Sequence, residues 1–299
     1  MYLGLHIVRF DWPGSPDDVG PRLAEIARTA DDAGLTHLSV MDHYFQIGVA
    51  GPRDDPMLEG YVAATHIAAH TRRARVGVLA TGVHYRHPGL LIKVVTSLDV
   101  LSGGRAVFAV GAGWNEEESR GLGVPVPTTS ERFERLEETL QLAHQMWRDD
   151  PTPFAGRHYQ LAEPICRPQP LSKPHPPIMV GGGGERKTLR LVAQYADACN
   201  VFFGWEGTPE QRAAVAGRKY EVLREHCAEL GRPYEEIQRT ALAALRMGDG
   251  GMSTSDVLAL CRAAADVGVQ ELVVMLEDVH ELRHLETLGR EVVPVVADW

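Results

Sequence analysis

The sequence predicts a (β/α)8 TIM barrel, and three observations predict it. Eight short apolar runs recur along the 299 residues, mostly continuous rather than alternating, as in strands covered on both faces. Longer helical stretches separate them, and parallel neighbours joined by crossovers of one hand close into a barrel. The competing architecture, an open doubly wound sheet, would normally show a Gly-rich fingerprint after its first strand. Here that place reads RFDWPGSP (9–16).

The elements follow in order. LGLHIV (3–8) is the first strand. Ser15 as N-cap and Pro16 at the first helical position then open a helix whose Val19, Leu23, Ile26, Ala27 and Ala30 repeat at helical spacing, with Gly34 as its stop. HLSVM (37–41) precedes a helix over 59–72, and RVGVLAT (75–81) one over 88–101. RAVFAVG (105–111) leads to TTSERFERLEETLQLAHQMW (128–147), where Thr128 and Glu131 form a capping box and Phe133, Leu136, Leu140, Ala143 and Trp147 share one face. PIMVG (177–181), CNVFF (199–203), QRTALAAL (238–245) and ELVVML (271–276) complete the strands, with helices over 185–195, 209–229, 254–267 and 279–290. Residues 151–177 hold eight of the 19 prolines, too few backbone donors for barrel wall. They read as a proline-rich insertion at about 149–176, between the fourth and fifth units, with FAGRHYQL (154–161) as a short hairpin. The whole chain, 1–299, reads as one domain.

Bulk properties exclude some functions. The net charge of −10 and the absence of any basic run argue against nucleic acid or an anionic membrane as a partner, since both need a basic face. A small anionic molecule needs only a local patch. Cys166, Cys199, Cys227 and Cys261 are widely spaced and read as reduced, packed thiols. MYLGLHIVRFDWPG reads as a first strand rather than a signal peptide, and no apolar stretch approaches the roughly 18–20 residues that span a bilayer. A cytoplasmic protein is expected.

Active sites of such barrels lie at the carboxyl ends of the strands. The polar residues there are Asp42 and His43, TGVHYRHP (81–88), GAGWNEEE (111–118) and the glycine block of MVGGGGERKTLRL (179–191). Backbone amides at a helix start, unobstructed by Cβ atoms, make an anion site. Each charge-assisted hydrogen bond there contributes about 1.5–3 kcal/mol. The blander reading of Gly181, Gly182, Gly183 and Gly184 is a tight turn. Gly82 and Val83 read as ordinary packing or as a strained bulge carrying a flat ring. His84 and His87 read as solvated loop histidines, His6 as a core residue, and Trp114 as either pocket wall or rim packing. His66 with His70, and His280 with His284, have metal-chelating spacing, but no carboxylate cluster supports them and no metal is assigned.

In order and spacing, TGVHYRHP, LDVLSGGRAVFAVGAGWNEEE, SERFERLEETL and PPIMVGGGGERKTLRLVAQYADACN resemble the bacterial-luciferase-like oxidoreductases, in particular the branch that uses the deazaflavin coenzyme F420. The resemblance is dense over 1–205 and thin over 206–299. It implies a (β/α)8 barrel with a long insertion, and a non-proline cis peptide after the third strand, expected at Gly82–Val83. It places Asp42, Thr81, Gly82 and Val83 on the deazaflavin or its ribityl chain. Gly111, Ala112, Gly113 and Asn115 fall on the ribityl and phosphate region, and Gly181 to Gly184 on the phosphate. His43 aligns with a histidine beside the reactive ring carbon. It is the candidate to give or take a proton, with a reference pKa near 6.5. Asp42 and His43 both reach the pocket only if the chain leaves the sheet there, because strand neighbours face opposite sides. Trp114 stands where related dehydrogenases carry a glutamate acid, which weighs against their sugar-phosphate substrate.

The expected function is hydride transfer between coenzyme F420 and a small organic substrate. The alternative is a monooxygenase of the same superfamily using FMN and oxygen. A metal-dependent barrel hydrolase would need two histidines two residues apart on the first strand, where this chain has His6-Ile7-Val8. A cofactor carrier without turnover is a further reading. Many relatives are dimers, so a homodimer is compatible with the resemblance.

Overall fold

A computed structural model describes residues 1–299. Eight parallel strands close on themselves. In spatial order β3 (Arg75–Val78), β2 (His37–Val40), β1 (Tyr2–Ile7), β11 (Glu271–Leu276), β10 (Gln238–Leu245), β9 (Ala198–Phe202), β8 (Ile178–Gly181) and β5 (Ala106–Gly111) are neighbours, and β3 pairs back onto β5 through Val76 and Ala106. The (β/α)8 TIM barrel is therefore as expected. Two layers of apolar side chains hold it. Alternate residues such as Leu3, Leu5 and Ile7 point outward into the main core beneath the helices. Leu79, Val107, Ala109, Met179, Ala198, Leu242 and Val273 fill the barrel interior. This two-sided burial is why the strands read as continuous apolar runs.

The outer layer is α1 (Val19–Asp32), α2 (Gly60–Ala69), α3 (Pro88–Ser102), α4 (Glu116–Gly121), α5 (Thr129–Trp147), α6 (Thr188–Tyr195), α7 (Pro209–Leu230), α8 (Thr254–Asp266), α9 (Arg283–Thr287) and α10 (Val293–Val296). Two helix starts differ from the sequence reading. α1 begins after Asp18, not Ser15, because residues 14–18 are taken up by turns in which Ser15 N–H bonds Trp12 C=O and Asp18 N–H bonds Gly14 C=O. Thr128 does cap α5 by accepting from Glu131 N–H at 3.3 Å, but Glu131 turns its carboxylate to Arg135 instead of closing the box. The last helix, expected over 279–290, starts later and runs through a wide turn at Leu288–Val292 into α10. Pro294 lies in its last turn and has no N–H to continue an α ladder.

The third strand is not continuous to 81. It stops at Val78, breaks at Leu79–Ala80, and resumes as the two-residue β4 (Thr81–Gly82), which pairs with β5 at Val110 and Gly111. Between α5 and β8 the chain leaves the wall. β6 (Phe154–Ala155) and β7 (Gln160–Leu161) form an antiparallel hairpin, and the rest to Pro177 has neither helix nor strand. Glu138 on α5 straps the hairpin down by accepting the backbone amides of Arg157, His158 and Tyr159. Tyr159 is buried and meets His87 edge-on, with ring centroids 5.4 Å apart, so the hairpin braces the start of α3. All four cysteines are buried and free. No helix is long and apolar enough to cross a membrane.

Candidate active site

At the carboxyl end of β2 the chain leaves the sheet, as the pairing of Asp42 with His43 requires. Asp42 is buried and belongs to an ion pair: Arg86 donates to both its oxygens, at 2.7 and 2.9 Å, and Gly82 N–H adds a third bond at 3.2 Å. Arg86 also reaches Glu59, the N-cap of α2. Burial works against the Arg86 charge, but hydrogen bonds and charge from Asp42 and from Glu59 outweigh it and raise its pKa. Asp42 is thus the anchor of the loop after β4.

His43 is partly open, its side chain 14% exposed, and its Nδ1 lies 2.7 Å from Oε1 of Glu118. Glu118 is fully buried on α4 and receives three further donors: Tyr85 O–H, Tyr44 N–H at 2.7 Å and Phe45 N–H at 3.3 Å. Burial pushes the Glu118 carboxyl up, but the bonds from His43 and Tyr85 hold it below the usual carboxylate range. An ionised carboxylate only accepts. His43 Nδ1 therefore carries a proton, and Nε2 is left outside this pair. A carboxylate–histidine pair of this kind fixes tautomer and ring orientation together. The sequence reading missed Glu118, because in NEEESRG three successive glutamates look like a solvated face.

The edge of Trp114 meets His43 at 5.3 Å between centroids, with Trp114 itself 62% exposed at the rim. His6 is buried inside the barrel, with Nδ1 on Ser39 Oγ at 2.9 Å, as a core residue. Burial and the neighbouring His37 and His43 push its pKa down to about 3. His84 bonds Ser119 through Nε2 and fills the space that a Cβ on Gly113 would occupy, 2.5 Å from its ring; Gly113 also has φ +73°. His87 caps α3.

The cis peptide expected at Gly82–Val83 lies three residues earlier, at Leu79–Ala80. Gly82 is glycine for a different reason: a Cβ there would stand 2.6 Å from the Tyr85 ring. Thr81 and Val83 turn away from the mouth, Thr81 to the Tyr61 hydroxyl at 2.7 Å and Val83 into the core. Ala80 instead packs against the barrel-interior cluster beside Gly181, where a Cβ would come within 2.9 Å of its own Cβ. Gly111 accepts Val83 N–H, Ala112 packs against the core, and Asn115 caps α4 through Glu117 N–H.

The glycine block ends β8 and leads to α6, which starts without a side-chain cap. Gly182 N–H bonds Asn200 C=O and the residue has φ +117°, a conformation that suits glycine. The amides of Gly183 and Gly184 have no acceptor in the protein. A Cβ on Gly184 would stand 2.7 Å from Thr188 Oγ1, closing the cradle. Glu185 draws Lys219 and Arg218 beside it, and those bonds lower its pKa to about 2. Arg186 and Lys187 form no ion pair. Bare amides, a missing cap and adjacent cations suit a phosphate. Of the two metal-spaced pairs, His66 and His70 each donate one ring N–H to a backbone carbonyl.

The chain matches the luciferase-like monooxygenase family over residues 5–283. It belongs to that family. Among curated family relatives, an F420-dependent glucose-6-phosphate dehydrogenase of Nakamurella multipartita is 30% identical over 196 residues, covering 64% of this chain and 55% of that protein. An FMNH(2)-dependent dimethylsulfone monooxygenase of Pseudomonas putida is 35% identical over 110 residues, covering 37% of this chain and 30% of that one. The chain spans about half the length of the F420-dependent relatives it matches. The coenzyme F420-dependent tetrahydromethanopterin reductase of Methanopyrus kandleri shares the fold, with a TM-score of 0.78 at 16% identity over 99% of this chain and 100% of that one.

Proposed function

We propose that this luciferase-like protein is a coenzyme F420-dependent oxidoreductase acting on a small organic molecule. The observation that carries the reading is one barrel mouth holding both unfilled amides at Gly183 and Gly184 and a histidine whose Nδ1 is occupied by a buried carboxylate. The glycine amides, with Thr188 and the cations beside them, would hold the coenzyme's phosphate. Ala80 and Gly181, bare of bulk, would let a flat ring lie close. When bound, the deazaflavin supplies a ring carbon that gives or takes a hydride. His43 handles the accompanying proton at Nε2, and Glu118 stabilises the imidazolium that forms when that proton arrives. Asp42 and Arg86 hold the loops that frame the ring.

Titration with coenzyme F420 and with FMN, followed by the absorbance of each, tests the reading. Saturable F420 binding that Gly183→Val abolishes is expected; tight FMN binding with none of F420 sinks it. The FMN alternative draws on the 35% identical stretch of the dimethylsulfone monooxygenase and would use the same phosphate cradle. A homodimer through α2 and α3 accompanies the proposal. Val62, Leu90 and Leu101 stand at least 70% exposed there, and sedimentation velocity checks the assembly.

A further inference from the structure

A cavity of about 1040 Å³ opens beside the mouth, walled by the loops after β1, β2, β9, β10 and β11. It reaches Met41, the residue before Asp42 and His43, but none of the glycine block. It therefore lies beside the phosphate cradle and not on it, reaching round the mouth from the loop after β2 to the loop after β9. Its size is at the upper end of small-molecule sites.

The walls are apolar and their charges are spoken for. Trp12, Met41, Ile47, Met252, Met275 and Leu276 supply the surface. Methionines are polarizable and adapt to irregular apolar shapes. Two arginines line the cavity, and both have partners: Arg9 forks onto Asp11, and Arg246 lies 3.6 Å from Glu277. Asp256 and Asp278 add two further carboxylates, so acids outnumber the cations two to one. His280 also lines the cavity without an ion pair, but four carboxylates against two arginines still oppose an anionic substrate. A neutral molecule meets no such cost, and its apolar area is what these walls bury.

We infer that the molecule admitted beside the coenzyme is uncharged, largely apolar and bulkier than a simple sugar. This rests on reading the mouth as a hydride-transfer site. It argues against a sugar phosphate, the substrate that the F420-dependent relatives' names carry.

Trp12 and Trp205 border the cavity, so binding is read from intrinsic fluorescence without turnover. The probes are the 2-alkanols from 2-butanol to 2-decanol, with glucose 6-phosphate as the anionic comparison. The expected result is affinity that tightens about fourfold per added methylene, with no saturable response to glucose 6-phosphate. Met252→Lys, a loop change, should weaken 2-decanol at least fivefold. An affinity independent of chain length, or a tighter response to glucose 6-phosphate than to 2-decanol, overturns the inference. Coenzyme F420 binding is followed separately by its visible absorbance. Chain-length-dependent alkanol binding in a protein that binds no F420 would support the pocket assignment and sink the hydride-transfer reading.

Discussion

Replacing Glu118 by glutamine changes one heavy atom and should relocate one proton. Oε2 accepts two backbone amides, from Tyr44 and Phe45, and Oε1 accepts His43 Nδ1 and Tyr85 O–H. The glutamine oxygen keeps the two amides, so its NH2 replaces Oε1. An NH2 cannot accept, so His43 must present a bare Nδ1 and carry its proton on Nε2 instead. The neutral ring then has no lone pair on Nε2. Two charge-assisted hydrogen bonds, about 1.5–3 kcal/mol each, disappear, while relief from burying a charge returns several kcal/mol. Stability should therefore change little. Catalysis should fall by about 10²- to 10⁴-fold, the usual contribution of a positioned acid or base. Nitrogen-15 NMR of the histidine rings, with His43 assigned by difference from His43→Gln, reads the tautomer directly. The native protein should show Nδ1–H and Glu118→Gln should show Nε2–H. A native His43 protonated on Nε2, or a tautomer unmoved by Glu118→Gln, refutes the reasoning.

Three other outcomes follow from the geometry. Arg86→Ala leaves the Asp42 carboxylate, only 2% exposed, buried without its cation, and should cost about 3–5 kcal/mol in urea denaturation; a loss below about 1 kcal/mol would show that the pair holds nothing. Gly113→Ala meets both a positive φ and the His84 ring, and should lower stability by about 1–3 kcal/mol, read by thermal melting. His6 stays neutral in the fold to about pH 3 but protonates near its usual 6.5 in the unfolded chain. Its contribution is complete above pH 6.5 and drains away as pH falls toward 3. His6→Gln should flatten the stability–pH slope between pH 6 and 4 by about 1.4 kcal/mol per unit.

Much of the barrel was legible because strands covered on both faces have no polar side to disguise them. RAVFAVG and QRTALAAL announce themselves, and PGLLIKVVTSLDVLS shows its helix through Pro88. What stayed hidden depends on neighbours distant in sequence. RVGVLATG reads as one strand because neither Leu79 nor Ala80 signals a break by composition. Thr81 looks like a ligand contact until Tyr61 is seen to hold its hydroxyl. Of Glu116, Glu117 and Glu118, only the last is turned inward by α4 toward His43, and the acidic run alone does not say which.

The mouth divides its labour between two kinds of surface. In the proposed function, main chain from β8 and the turn into α6 would grip the coenzyme tail, and main chain is indifferent to most side-chain changes nearby. The selecting walls come mainly from connecting segments of the first and last strands, where exchange of residues such as Met252 leaves the barrel staves untouched. If the proposed function holds, grafting different connectors after β10 and β11 is a route to new chemistry on an unchanged barrel.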